Sequence, residues 1–161
     1  MSYPKVRNLI KESFKTLVQE KFPEADLVVG VATAGIAHGA LLADALDLPF
    51  AYIRSKAKGH GMQNLIEGEI KSGAQVIVVE DLISTGGSSL KGVDAVREAG
   101  AEVLTMLAIF TYGFDHAVQN FADKDCSFYT LSDFDHLLKF AVENELFAQK
   151  ELDFMNDWKN N

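Results

Sequence analysis

A single cysteine, Cys126, stands in the 161 residues, so no intrachain disulfide can staple the fold and a reducing compartment is expected. In its strand-like setting that thiol reads as a small buried hydrophobe rather than a nucleophile. Basic residues are scarce too: 15 Lys and Arg against 23 Asp and Glu leave a formal net charge of −8. That balance argues against nucleic acid as the main partner, because the basic footprint is missing, and any anion site must gather its cations locally. No apolar run approaches a membrane span, and the first residues lack the apolar core of a signal peptide, so no membrane partner is expected and cytoplasm is the default. Internal repeats, low-complexity segments and linkers are absent as well. What is there, 48% hydrophobic and 24% charged residues, suffices for one domain over 1–161 with a substantial core.

Apolar residues Val6, Leu9, Ile10, Phe14, Leu17 and Val18 recur at helical spacing up to Pro23. Residues 27–31 then read as a buried strand, 32–35 as a tight small-residue loop and 36–46 as a helix. Strands are expected at 50–54, 75–81 and 102–110, with a helix over 87–99 and glycine breaks at Gly73 and Gly100. The stretch 55–68 is polar, punctuated by glycine and without periodicity, and predicts a long functional loop or lid. Beyond 110 the pattern predicts a helix at 114–121, a strand at 127–131, a helix capped by Ser132 and Asp133 that runs to about 145, and a last amphipathic segment at about 148–158. Strands alternating with helices predict an α/β fold: a parallel sheet flanked by helices, with right-handed crossovers.

Residues 76–90, VIVVEDLISTGGSSL, carry the most chemistry. The apolar start reads as a strand buried on both faces, which places Glu80 and Asp81 at its carboxyl end, where open α/β sheets bind ligands. Adjacent carboxylates offer acceptors for two ribose hydroxyls. Ser84, Thr85, Ser88 and the backbone N–H groups around Gly86 and Gly87 can surround one phosphate at a helix N-terminus. The plain alternative is a solvated strand end followed by a helix cap, although a cap needs neither both carboxylates nor two glycines. This segment resembles the thirteen-residue signature of the type I phosphoribosyltransferases, which use phosphoribosyl pyrophosphate (PRPP).

A second cluster gathers cations in this acidic chain: Arg54, Lys56, Lys58 and His60, with Gly59 and Gly61 able to let the loop fold over a ligand. These suit a pyrophosphate leaving group; alone, they would equally be a solvated basic loop. With Tyr52, Ile53, Glu67 and Gly68 the loop is similar to the catalytic loop of orotate phosphoribosyltransferases. Residues 27–36, LVVGVATAGI, resemble the pyrophosphate loop of that family, and 109–114, IFTYGF, resemble the next strand end in one branch of it.

The resemblance implies a type I phosphoribosyltransferase fold and the conversion of orotate and PRPP to orotidine 5′-monophosphate and pyrophosphate in pyrimidine biosynthesis, with Mg²⁺ carried mainly by PRPP rather than by direct protein ligands. It implies that Glu80 and Asp81 bind the ribose, with Asp81 near the reacting centre, and that Ser84, Thr85, Gly86, Gly87 and Ser88 cradle the 5′-phosphate. Ser84, replacing a commoner threonine, would also border the orotate. Arg54, Lys56, Lys58 and His60 would meet the pyrophosphate, Lys58 and His60 from a mobile loop closing over the neighbouring subunit of a homodimer. Ala32, Thr33, Ala34 and Gly35 would hold the pyrophosphate through backbone N–H groups, with a cis peptide among them. Ser55 and Ala34 stand where many members have lysine. Members also carry a base-binding segment ahead of the position of Ser2, so the 161 residues alone are expected to bind PRPP but turn orotate over poorly.

Two other readings use the same residues: a purine phosphoribosyltransferase, which the 54–61 loop disfavours, and a noncatalytic PRPP-binding regulatory module, which would not need cations for a leaving group. His38 could approach a phosphate but reads more readily as a helix-surface or interface residue, and His116 and His136 as surface residues. Phe154 and Trp158 are expected to pack on the apolar side of the last helix.

Overall fold

The computed structural model describes residues 1–55 and 65–160. Helix α1 (Pro4–Lys21) begins with proline, whose missing N–H costs nothing in a first turn, and buries Phe14 and Val18. The chain then alternates: β1 (Leu27–Val31), α2 (Ala34–Leu46), β2 (Phe50–Ile53), β3 (Ile66–Glu67), β4 (Gln75–Ile83), α3 (Gly87–Glu98), β5 (Glu102–Thr111), α4 (Asp115–Asp123), β6 (Phe128–Asp133), α5 (Phe134–Glu143) and α6 (Gln149–Asn160). The strands form one sheet in the order β3-β2-β1-β4-β5-β6. All neighbours are parallel except β3, which runs antiparallel to β2. Strand order reverses between β1 and β4, and that switch point opens a crevice at their carboxyl ends.

Side chains alternate across each strand, so the central strands feed two cores. Val76 and Val78 of β4 face Leu90, Val93 and Val96 of α3 and Phe121 of α4. Ile77 and Val79 face the opposite way, toward Phe14 and Val18 of α1 and Leu42 of α2. A third, smaller cluster packs Phe134 and Leu138 of α5 and Leu152 of α6 against Phe110 and Tyr112 at the end of β5. Burying each large apolar side chain contributes about 1.5–3 kcal/mol, which is why the continuous apolar run of β4 fixes the middle of the sheet.

The α/β architecture agrees with expectation, and four local features differ. Strand β3 falls inside the stretch read as loop, because Ile66 and Glu67 pair with Ile53 and Tyr52. Strand β4 continues to Ile83, its ladder with β5 carrying on through Leu82↔Phe110 and Ile83↔Thr111, so Glu80 and Asp81 lie within the strand. Helix α2 starts at Ala34, which puts Ala34 and Gly35 in its first turn. Phe154 does not pack: it is 71% exposed, whereas Trp158 contacts Tyr112, Phe114 and Phe134. Cys126 is buried as expected, and burial pushes its thiol pKa up.

Candidate active site

Two helices begin at the carboxyl edge of the sheet, one on each side of the switch point. Helix α3 follows β4 through residues 84–86, and its N-cap is Gly86, in the left-handed region at φ 81. Only glycine adopts that angle readily, and a Cβ there would also strike the Phe121 ring at 2.7 Å. Glycine has no side chain to cap the helix and no acid occupies the first turn, so the leading N–H groups of α3 remain available to an anion. Thr85, Gly87 and Ser88 are exposed, and Ser84 is half-buried. Asn120 of α4 steadies this loop by donating from Nδ2 to the Thr85 carbonyl at 2.9 Å.

Helix α2 follows β1 in the same way. Its N-cap, Thr33, makes no side-chain cap and its first turn holds no acid. The Ala32–Thr33 peptide is cis, as the resemblance implies, and Thr33 and Ala34 are exposed. Gly35 lets this helix start lie directly on β4, since a Cβ there would overlap the Val79 carbonyl oxygen. Two uncapped helix N-termini therefore flank one crevice, each able to bind a phosphate group.

Between them lie the carboxylates, and the structure gives the two different surroundings. Consecutive strand residues point to opposite faces. Glu80 turns to the α3 side and is only 6% exposed; its Oε1 accepts from the Asp81 N–H at 3.1 Å and its Oε2 from the Ser89 hydroxyl at 3.4 Å. Burial, followed by the hydrogen bond shared with the Asp81 carboxyl, pushes its pKa up to about 8. Asp81 is half-buried on the α2 side. Of the two, Asp81 is the more openly presented. His38 of α2 is half-buried, and burial lowers its pKa while the Asp81 charge opposes that shift.

Arg54 leaves the end of β2 and donates from Nη1 to Glu67 at 3.0 Å, so β3 holds the strand-end cation beside the crevice. Lys56, Lys58 and His60 lie outside the described residues. Sequence reasoning missed Ser89, Asn120 and Thr111, whose hydroxyl donates to the Ile83 carbonyl at 3.0 Å and accepts from the Gly113 N–H at 3.1 Å. Each acts across a distance in sequence that periodicity does not report. His116 is exposed and stacks on Phe114, and His136 is exposed and bonded to Asp133, the N-cap of α5.

A carboxylate pair between two uncapped helix starts, on a sheet of this order, is an arrangement suited to a phosphoribosyltransferase. The family described as "Phosphoribosyl transferase domain" matches residues 2–138. The chain belongs to that family, within its orotate phosphoribosyltransferases. It is 49% identical over 161 residues to orotate phosphoribosyltransferase of Cytophaga hutchinsonii, covering 100% of this chain and 77% of that one. It is 47% identical to that of Listeria innocua, with coverage again 100% and 77%. Among solved structures, the orotate phosphoribosyltransferase of Aeropyrum pernix superposes with a TM-score of 0.77 at 27% identity, covering 86% of this chain and 77% of that one. The chain thus spans about three quarters of the length of these relatives. No helix among the described residues is long and apolar enough to cross a membrane.

Proposed function

We propose that the protein transfers the phosphoribosyl group of PRPP to orotate, giving orotidine 5′-monophosphate and pyrophosphate in cytoplasmic pyrimidine biosynthesis. The observation that carries this reading is the pair of uncapped helix starts that follow β1 and β4, with Glu80 and Asp81 near the end of β4. Residues 84–88 receive the 5′-phosphate, residues 32–35 the pyrophosphate, and Asp81 the ribose hydroxyls, with Glu80 joining once it loses its proton. As the C1′–O bond breaks, pyrophosphate leaves with the bonding electrons. The orotate N1 lone pair forms the C1′–N1 bond, and the N1 proton passes to solvent or to the leaving group. Orotate N1 is acidic enough to need no strong general base, so the protein's work is positioning, charge stabilisation and exclusion of water.

Among the described residues no group of three or more His, Cys, Asp or Glu could hold a metal ion by itself. Mg²⁺ would enter this site on PRPP oxygens, with Asp81 beside it, and would neutralise charge on the diphosphate. Arg54 meets the pyrophosphate from the β2 end; Lys56, Lys58 and His60 do so from the loop, which we propose serves the partner site of a homodimer. Residues 1–161 act as one phosphoribosyltransferase domain. The test is PRPP- and orotate-dependent formation of orotidine 5′-monophosphate, with PRPP affinity by calorimetry and assembly by sedimentation. Asp81→Asn should weaken PRPP binding at least tenfold while leaving the fold intact; unchanged affinity would remove the site assignment.

A further inference from the structure

A backbone cradle holds an anion only if its peptide groups turn N–H, and not C=O, toward it. In the loop ahead of α3, Gly86 stands at φ 81 and ψ −7, the angles of the third residue of a type II turn whose second residue is Thr85. Turning the Thr85–Gly86 peptide over by roughly half a revolution gives the commoner type I turn. Glycine adopts the third position of either turn, so the loop by itself does not choose between them. The choice decides what the anion meets, because C=O and N–H point in opposite directions across a trans peptide such as this one.

Asn120 supplies the bias. Its Nδ2 donates to the Thr85 carbonyl at 2.9 Å and draws that oxygen toward α4, so the Gly86 N–H is aimed away from α4. Gly86 is a buried residue, and its N–H has no acceptor among the described residues. A donor left in that state calls for a partner from outside the chain. The amide that grips the carbonyl is itself firmly placed. Its neighbour Phe121 is 1% exposed and packs where a Gly86 side chain would stand. Past that point, Arg97 of α3 donates to the Lys124 and Asp125 carbonyls at 2.6 and 2.8 Å, and Lys124 pairs with Asp94 at 2.8 Å. Helix α4 is therefore fastened to the far end of α3, while Asn120 reaches back to the loop at its start.

We propose that Asn120 is a positioning residue for the 5′-phosphate: by holding the Thr85 carbonyl it fixes the Thr85–Gly86 peptide with its N–H toward the anion and its oxygen away from it. This rests on the phosphoribosyl-transfer reading, and the test separates the two. Calorimetry on the full chain compares PRPP, which carries a 5′-phosphate, with inorganic pyrophosphate, which does not. Asn120→Ala removes the donor and should weaken PRPP binding roughly three- to tenfold, the worth of one hydrogen bond, with pyrophosphate affinity unchanged. Asn120→Gln keeps the amide and should recover part of the loss. The bond is exposed, so thermal denaturation should differ little between the wild type and Asn120→Ala. In amide NMR spectra of the wild type, the Gly86 resonance should move when PRPP is added, and it should move less in Asn120→Ala. Equal PRPP affinity in the two proteins, an equal loss for pyrophosphate, or a Gly86 amide that PRPP leaves unmoved overturns the role given to Asn120. A wild-type protein that binds neither ligand overturns the underlying reading instead.

Discussion

Replacing Glu80 with glutamine should flatten the dependence of stability on pH. The Glu80 carboxyl is raised from its ordinary value of 4.5 to about 8, chiefly by burial. An unfolded chain releases this proton near the ordinary value, whereas the folded chain keeps it, so between those two pH values the native state binds more protons and stability falls as pH rises. The contribution is complete below the unfolded pKa and lost as pH climbs through the folded one. Each pKa unit corresponds to about 1.4 kcal/mol, so the loss by pH 7 is of the order of 3 kcal/mol at most, since water penetration lowers it. Glutamine matches the protonated carboxyl in shape and cannot titrate. Urea denaturation at pH 5 and pH 7.5 should therefore show wild-type stability falling by a few kcal/mol more than that of Glu80→Gln. Because ribose hydroxyls donate to an ionised carboxylate, PRPP binding by the wild type near neutral pH should also release a proton, visible as a buffer-dependent calorimetric enthalpy. Parallel stability profiles for the two proteins would refute the idea that Glu80 is a buried, protonated carboxyl.

Ser89→Ala removes the hydroxyl bonded to Glu80 Oε2 and should weaken PRPP binding roughly three- to tenfold in calorimetry, about the worth of one hydrogen bond, while Ser89→Thr restores part of it. Gly35→Ala drives a methyl group into the Val79 carbonyl and should destabilise the fold by about 1–3 kcal/mol in thermal denaturation; an unshifted melting temperature would show that α2 can lift off β4 freely.

The sequence displayed those parts of the molecule that repeat a short-range pattern. The apolar run of β4 and the helical spacing of Phe14 and Val18 report burial directly, so the sheet and its flanking helices were legible. Strand β3 was not, because two residues carry no periodicity and its existence depends on Tyr52 and Ile53 lying opposite. The site split in the same way. Ser84, Thr85, Gly86, Gly87 and Ser88 are contiguous and could be read as a unit, as could Ala32 to Gly35. Ser89 carries no such signal, and only the turn of α3 brings its hydroxyl to Glu80. Thr111 and Asn120 bond to Ile83 and Thr85 from 28 and 35 residues away, and no local signal announces such contacts. Phe154 misled because amphipathic spacing reports a helix face, not whether anything covers it.

The floor of the phosphate loop belongs to a different crossover from the loop itself. Phe121 lies beneath Gly86, Asn120 grips the Thr85 carbonyl, and Thr111 holds Ile83, all from the β5–α4 unit. A designer who grafted residues 76–90 into another parallel sheet would transplant the walls of the anion cradle without its foundation, and the left-handed turn at Gly86 would have no ring to rest upon. The smallest portable piece is two adjacent βα units, β4 through α4. In this fold, phosphate recognition is a property of neighbouring crossovers in register, and the glycine-rich string of letters marks only its visible half.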